Sequence, residues 1–517
     1  MPLTDPLCRS FLDLWWHFDP AAASRAGLTD HDARLGAYDP DSVRQQVAAL
    51  RSIAGAVEDL EIEDTGDEID RTALLDHLRV LLFRFEREHP YQKNPALWLE
   101  HLTRALLSLL AREGDLPDLA AAVLGRLRAT PRFLSDARDS LRRPAPVLVD
   151  AAAAQIAACT QLLDDVAERF DAEWTADDTD AAAALTEARA ALEQFGTALR
   201  ALPLDPDPHA GAVGEEEVDR RLHYEHASIH NSGEVRRAAM RLAAETEAEL
   251  TALAASIEPN RSWRELYEQA RGEPPVWSEL VTRFHDALAG NARLLESRGL
   301  NWETPPLTLQ QLAPVEAVLE PIASYRAGGL AASAAVLVAD PDAAALPWLA
   351  ARLGLPGAHL HRAQRDALPG QVRRHIAATS TPLGWSLYAG ELMAELGLGS
   401  DPEARLAERV LFLRDVYLAL VDLGFHSRQL TADEAVAQLT ERLPFEPAVA
   451  LADVRRIACR PTSACAAILG VQELRRLRQD AAEARGSEFS LDGFHREVLS
   501  YGGLPVPLIR WGMGLDA

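Results

Sequence analysis

Residues 402–424, "PEARLAERVLFLRDVYLALVDLG", decide the fold class. Apolar residues recur there at intervals of three and four positions: Leu406, Val410, Leu413, Tyr417, Leu420 and Gly424. This spacing places them on one face of an α-helix, where they can pack against a core. The alanine-rich run at 179–202 has the same helical character. The sequence therefore predicts a mainly α-helical protein.

Local signals indicate where helices begin and where they break. Ser42-x-x-Gln45 and Thr431-x-x-Glu434 have the form of capping boxes, which satisfy free backbone N–H groups at a helix start. The segment "LPLDPDPHAGAVG", residues 202–214, holds three prolines and two glycines and cannot continue a helix. We place the main linker there, between an N-terminal helical half (1–210) and a C-terminal helical half (211–517). The two halves could also form one continuous domain.

One segment has the composition of a β-strand. Residues 331–340, "AASAAVLVAD", pass from small residues into a β-branched and apolar run that ends before a proline. We expect a short edge strand there.

Composition narrows the classes of partner. With 517 residues, 48% of them hydrophobic and 25% charged, the chain is typical of a folded globular protein. The 78 acidic residues outnumber the 52 basic ones and give a net charge of -26, which argues against binding nucleic acid or an anionic membrane. Neither a signal peptide nor a membrane-spanning run is evident, so a cytoplasmic location is expected. Motifs of serine hydrolases and nucleotide-binding loops are also missing.

Three blocks in the C-terminal part resemble a known family. They read "ARLGLPGAHLH" (351–361), "LGWSLYAGELMAEL" (383–396) and "LRDVYLALVDLGFH" (413–426). Together they resemble the bacterial domain-of-unknown-function 885 (DUF885) family, which is related to gluzincin-type zinc metallopeptidases. The corresponding family patterns are H-E-x-x-P-G-H-H, E-G-W-x-L-Y-x-E-E-L and D-x-G-x-H. The resemblance implies a large, helical, two-lobed metallopeptidase-like fold with a central cleft and at most a small β element.

The residues that zinc catalysis would require in the first block are replaced. Aligned on Pro356-Gly357, the family's first histidine falls on Arg352 and its glutamate on Leu353. The first histidine after the glycine falls on Ala358, and only the second is kept, as His359.

Two further blocks depart in the same way. Leu383 stands where the second block begins with glutamate. In a block at 460–478, the residues Thr462, Ser463 and Ala467 replace the family's usual glycine, glutamine and tyrosine.

These replacements remove three requirements of zinc hydrolysis. Zinc needs imidazole or carboxylate ligands, and its bound water needs a nearby base. The Arg352 guanidinium has no lone pair to donate and repels a cation. Leu353 cannot act as a base, nor Leu383 as a ligand. We therefore expect no catalytic residues of the family type, no bound metal and no cofactor, although zinc is expected for the family.

Other motif residues are kept and are candidates for lining the cleft: Trp385, Tyr388, Glu391, Asp422 and His426. Some of these residues, and His359, also have a plainer interpretation. His359 is typical of a hydrogen-bonded structural residue, Glu391 could be a solvated acid, and Asp422 with His426 could serve as a helix cap.

Three hypotheses follow. The first is a catalytically inactive homologue that binds a peptide, a small ligand or a protein partner. The second is an active hydrolase with a relocated site in the same cleft, built from His359, Glu391, Asp422 and His426. The third is a purely structural or oligomeric protein with no pocket behind Pro356. The sequence does not predict an oligomeric state.

Overall fold

The computed structural model describes residues 2–113, 116–170, 173–174, 179–273, 275–318, 320–328, 333–339 and 344–515. The α-helices of the first half are Asp5–Phe18, Pro20–Arg25, Pro40–Glu58, Thr65–Phe83, Pro90–Lys93, Pro95–Leu110, Leu116–Ser140, Pro146–Phe170 and Thr179–Ala201. Those of the second half are Glu215–His226, Ser232–Ile257, Trp263–Arg271, Trp277–Glu296, Pro314–Ala317, Leu346–Leu349, Ala358–Asp366, Gln371–His375, Ser380–Leu396, Pro402–His426, Ala432–Arg442, Pro447–Cys459, Ser463–Arg485, Leu491–Ser500 and Val506–Gly512. The 3₁₀ turns are Thr29–His31 and Gly486–Glu488, and the π-helical turns are Arg84–Glu88 and Ala350–Gly354. The predicted mainly α class is confirmed.

Three helices form the centre of the C-terminal half: Pro402–His426 (the central helix), Ser380–Leu396 (the motif helix) and Ser463–Arg485 (the crossing helix). The central helix contains the stripe at 406–424 and is buried on nearly every side between residues 406 and 426. Its neighbours are the crossing helix and the long helix Ser232–Ile257. The stripe therefore marks a core helix, whose charged residues need partners inside the protein.

A small sheet lies beside these helices. Its strands are β1 (Leu307–Gln311), β2 (Ala323–Arg326) and β3 (Ala334–Val338), in the order β1-β3-β2. β1 pairs with β3 in parallel and β2 pairs with β3 antiparallel. The strand expected at 331–340 is thus present, with 331, 332 and 340 outside the described residues. Our expectation of an edge strand is wrong, because β3 is central and buried along its whole length.

The predicted breaker at 202–214 is a loop between two helices. It is fixed to the end of the central helix, because the Gly214 N–H donates to the His426 carbonyl at 2.9 Å. One core cluster contains buried apolar residues of both sequence halves, the first of them Cys8 and the last Ile509. The division at residue 210 remains a prediction.

One described helix, Pro146–Phe170, is long and apolar enough to cross a membrane by length and composition alone. It packs against helices Pro95–Leu110 and Thr179–Ala201.

Candidate functional site

The main cavity has a volume of about 970 Å³ and lies where the two halves of the sequence meet. The N-terminal half contributes the π-helical turn Arg84–Glu88 and the 205–210 part of the linker loop. The C-terminal half contributes β2, the start of the motif helix and the end of helix Pro447–Cys459. Leu353, Ala358 and Leu383 are part of the lining. A cavity therefore exists beside the residues that flank Pro356, and the third hypothesis's expectation of no pocket there is wrong.

A small side cavity of about 160 Å³ adjoins the main one and shares several lining residues with it. Residues that depart from the family pattern, although far apart in the sequence, meet here: Arg352, Leu353, Leu383, Ser463 and Ala467. The π-helical turn Ala350–Gly354, the motif helix and the start of the crossing helix bring them together. These five replaced residues therefore line the same side cavity.

An ion pair lies in this side cavity. Nη2 of Arg352 lies 2.6 Å from Oδ2 of Asp415 on the central helix, and both side chains are mostly buried. The Ser386 hydroxyl donates to the Arg352 carbonyl at 2.8 Å. The Asp415 carboxylate is therefore already paired with a fixed cation, and the Arg352 guanidinium has no lone pair to offer a divalent cation.

The residues therefore do not fit a zinc ion. Among the described residues, no three His, Cys, Asp or Glu side chains are grouped so that they could hold a metal. The kept histidine is also engaged elsewhere. Nδ1 of His359 lies 3.0 Å from the Tyr325 hydroxyl, and Nε2 lies 2.8 Å from the Pro305 carbonyl. Burial lowers the pKa of His359, so the neutral ring is favoured and can donate to Pro305.

Pro356 and Gly357 keep a structural role. Gly357 precedes helix Ala358–Asp366, and a Cβ on it would lie 1.9 Å from the Arg352 carbonyl oxygen. Nε1 of Trp385 donates to the Pro356 carbonyl at 2.9 Å. The helix entry thus needs glycine at 357 whatever the chemistry beside it, and the Pro356 carbonyl ties the turn to the motif helix.

The kept residues of the motif helix are directed at other helices. The Tyr388 hydroxyl lies 2.8 Å from Nε2 of His495, and both side chains are buried. Glu391 forms a two-bond ion pair with Arg475 of the crossing helix, with Nε 2.7 Å from Oε2. None of Trp385, Tyr388 and Glu391 is part of the main cavity's described lining.

Asp422 and His426 also satisfy backbone groups. The Asp422 carboxylate accepts hydrogen bonds from the N–H groups of Thr462, Ala464 and Cys465 at 2.9–3.1 Å, at the start of the crossing helix. Burial outweighs these bonds and raises the pKa of Asp422 to about 6. Nε2 of His426 lies 2.9 Å from the Ile457 carbonyl and 3.8 Å from Asp422. These contacts agree with the plainer interpretation, in which Asp422 and His426 cap backbone groups at helix ends.

The motif comparison missed a group of charged residues in the main cavity. Glu217, Arg221 and Glu225 follow one another at four-residue intervals on helix Glu215–His226, which places them on one face. The Glu88 carboxylate accepts from Arg221 through Nε at 3.1 Å and through Nη2. Glu217 Oε1 lies 3.5 Å from the same Nε. In the sequence, the four-residue spacing of Glu217, Arg221 and Glu225 was the signal that could have identified this charged group.

Glu217 is held in an unusual state. Burial, followed by a hydrogen bond to Glu88 and the charge of that carboxylate, raises the pKa of Glu217 to about 8. The two carboxyl groups lie side by side against Arg221, with Arg220 Nε also 3.5 Å from Glu217, and a proton retained on Glu217 relieves their repulsion.

The charge of the main cavity is opposite to that of the whole protein. Its lining has nine arginine and lysine residues against six aspartate and glutamate residues. The entire chain carries a net charge of -26. The cavity thus concentrates positive charge in an acidic protein.

Comparisons with known proteins agree with this fold. The model of the family described as "Bacterial protein of unknown function (DUF885)" matches residues 20–513. A putative lipoprotein of unknown function from Shewanella oneidensis is 18% identical, with a TM-score of 0.78 and coverage of 98% of both chains. A putative lipoprotein from Colwellia psychrerythraea is 16% identical, with a TM-score of 0.83 and coverage of 99% of both chains. At these identities the likeness shows the fold. No curated protein gives a significant match.

Proposed function

Because the chain belongs to the DUF885 family of bacterial proteins of unknown function, we propose that it is a catalytically inactive, two-lobed relative of the zinc peptidases. Its main cavity is the central cleft, and it binds a peptide or a small ligand without cleaving it. The observation that carries the proposal is the convergence of the replaced residues on one side cavity beside an open main cavity.

The electrostatics of the side cavity support the absence of zinc chemistry. A zinc-bound water needs a cation held by neutral imidazoles and carboxylates, with a base in reach. Here a guanidinium pairs with Asp415, and Leu353 and Leu383 are apolar neighbours. A ligand in the main cavity would meet no activated water at that point.

Metal content tests the inactive half of the proposal. The purified protein is incubated with zinc, passed through a desalting column and measured by elemental mass spectrometry. We expect less than about a tenth of an equivalent per chain, because the family's ligand positions carry Arg and Leu. Close to one equivalent, or a chelator-sensitive cleavage of peptides, would contradict it.

Ligand binding tests the other half. Small molecules retained by the protein are identified by mass spectrometry after denaturation and compared with those retained by an A212W variant. Ala212 lies in the linker loop, is partly buried and lines the cavity, so an indole there reduces the space for a ligand, and circular dichroism checks that the variant folds. An A212S variant is the matched control. Retention by A212S and loss by A212W are expected; equal retention by both would place the ligand elsewhere.

A second function, a hydrolase with a relocated site, has one observation in its favour. It is not the expected set of His359, Glu391, Asp422 and His426, whose side chains have internal partners. It is the Glu88 and Glu217 pair, which lines the main cavity and in which burial and the neighbouring carboxylate raise the pKa of Glu217. A carboxyl and a carboxylate side by side can act as acid and base. Hydrolysis that E217Q abolishes, with the fold intact, would favour this function over the first.

Location remains a prediction as well. A cytoplasmic location is the expectation from composition, whereas the two structural relatives are described as putative lipoproteins. Fractionation of the source cells distinguishes the cytoplasm from the envelope.

A further inference from the structure

Four basic residues stand together at the edge of the main cavity: Arg84, Arg87, Lys93 and Arg143, here called the basic rim. Arg84 is half-buried and the other three are exposed. Arg84 and Arg87 belong to the π-helical turn Arg84–Glu88, and Lys93 ends the short helix after it. The Arg142 N–H donates to the Gln92 carbonyl at 2.8 Å, which brings the loop with Arg143 beside Lys93.

Among the described residues, no carboxylate forms an ion pair with the basic rim. Within the described part of the chain, none of its four side chains has an ion pair or a hydrogen bond. Three acidic residues of the cavity are engaged with other arginines, while the Asp205 carboxylate accepts a hydrogen bond from the Asp207 N–H at 3.1 Å. Arg221 holds Glu88, Arg428 holds Asp207, and Arg460 holds Glu320 at 2.7 Å. The positive charge of the rim is therefore available to a ligand.

The negative charge of the rest of the protein makes the basic rim the favoured place for an anion to approach. The chain as a whole carries a charge of -26, which repels anions from the rest of its surface. A local basic patch in such a protein directs an approaching anion to one place. Apolar residues line the cavity next to the rim, with Ala145 and Leu148 on one wall and Ala212 and Val213 on the linker wall.

We propose that the basic rim binds an oxyanion group, a carboxylate or a phosphate, of a small molecule whose apolar part lies between these two walls. This inference rests on the proposed function, since it names the ligand class of the same cavity. Arginine and lysine side chains form charge-assisted hydrogen bonds with both kinds of oxyanion, and arginine can form two at once. Three exposed members can adjust to the ligand, while Arg84 is held further inside.

Isothermal titration calorimetry with two probes tests the inference, using citrate for carboxylates and pyrophosphate for phosphates. The variant K93Q/R143Q removes two exposed charges from the rim. The control R132Q/R476Q removes two charges from exposed arginines outside the main cavity's lining, whose side chains are 85% and 72% exposed. Circular dichroism confirms that both variants fold.

We expect at least one probe to bind the wild-type protein, about tenfold more weakly in K93Q/R143Q and within about twofold in R132Q/R476Q. The probe that binds identifies the source of the oxyanion. Binding should weaken as the salt concentration rises, and less steeply in the rim variant.

Three results would overturn the inference: no binding of either probe, equal losses in both variants, or unchanged binding in K93Q/R143Q. The two proposals fail separately. A neutral peptide bound without either anion leaves the proposed function standing and removes this inference. Anion binding accompanied by zinc-dependent cleavage would leave this inference standing and remove the proposed function.

Discussion

At the scale of single residues, Arg352 accounts for much of the difference between this chain and the family pattern. Its guanidinium is 14% exposed and its partner carboxylate on Asp415 is 19% exposed. Removing one member of such a pair leaves the other without compensation in a poorly solvated place. A structural ion pair thus occupies the position where the resemblance implies a metal ligand, and this makes a test possible.

We predict that R352M lowers the free energy of unfolding by about 2–4 kcal/mol, because the Asp415 carboxylate loses its partner. R352M/D415L should recover most of this loss, since no charge is then left unpaired. Urea denaturation measures both. The control is R44M, which breaks an exposed pair with Asp41 and should cost less than about 1 kcal/mol. A loss in R352M no larger than in R44M would contradict the argument.

Buried histidines predict a pH dependence of stability. Nε2 of His361 lies 3.1 Å from the Gly502 carbonyl, and burial lowers the pKa of His361 to about 3. In the unfolded chain a histidine has a pKa of about 6.5. Between these values only the unfolded state binds the proton, so the free energy of unfolding decreases as the pH falls below 6.5.

Substituting H361Q should remove this histidine's share of the acid sensitivity. Between pH 7 and pH 5 we expect the free energy of unfolding to fall by about 2 kcal/mol less in H361Q than in the wild-type protein. The control is H223Q, at an exposed position, which should leave the difference between the two pH values unchanged. Urea denaturation at both pH values provides the measurement. Parallel behaviour of H361Q and the wild type would show that the ring is protonated in the native state.

At the scale of helices and strands, the close approach of the motif helix and the crossing helix positions the side cavity. A Cβ on Gly470 would lie 2.0 Å from the Ser380 carbonyl oxygen, and one on Gly384 would lie 2.4 Å from the Gly470 carbonyl carbon. The two helices therefore touch through their backbones. This contact explains why Gly384 is kept while its neighbour in the family pattern is replaced by Leu383.

We predict that G384A and G470A each lower the free energy of unfolding by about 2 kcal/mol or more, because the helices must separate. The control G55A lies in helix Pro40–Glu58, where a Cβ has nothing within 4 Å. It should raise the stability by about 1 kcal/mol through helix propensity. Thermal and urea unfolding measurements show whether each variant is more or less stable than the wild-type protein. Stabilisation in all three variants would mean that the helices do not approach so closely.

Local signals predicted some element boundaries and failed at others. The capping box at Thr431 and Glu434 is present, with the Thr431 side chain accepting from the Glu434 N–H. The box predicted at Ser42 is wrong, because Asp39 caps that helix and Pro40 begins it. An aspartate followed by proline is the stronger start signal, and it stands three residues earlier.

The sequence could not predict which distant segments pair with one another. The composition of β3 indicated a strand, but its central position depends on β1 and β2, whose patterns are weak. The site shows the same limit. The family pattern identified the residues that changed, whereas the charged group around Arg221 depends on Glu88, which lies 133 positions away in the sequence. Helical spacing relates neighbours on one helix and says nothing about such a partner.

At the scale of the whole molecule, the two sequence halves share more than the main cavity. Arg373 pairs with Asp70 at 2.8 Å, Arg460 with Glu100 at 2.8 Å, and Arg455 with Asp150 at 2.7 Å. Each pair joins the C-terminal half to the N-terminal half. Because one core cluster also contains buried apolar residues of both halves, the halves should unfold together.

Cutting the linker loop tests this expectation. A protease recognition site inserted after Leu204, which is 43% exposed, lets the chain be cleaved at the boundary between the halves. We predict that the two pieces stay together in gel filtration and unfold in one calorimetric transition, since the shared core and the ion pairs do not depend on the peptide bond. The uncut insertion variant is the control for the inserted residues. Two transitions, or pieces that separate without denaturant, would instead support two independent domains, and the main cavity would then be an interface that opens when they part.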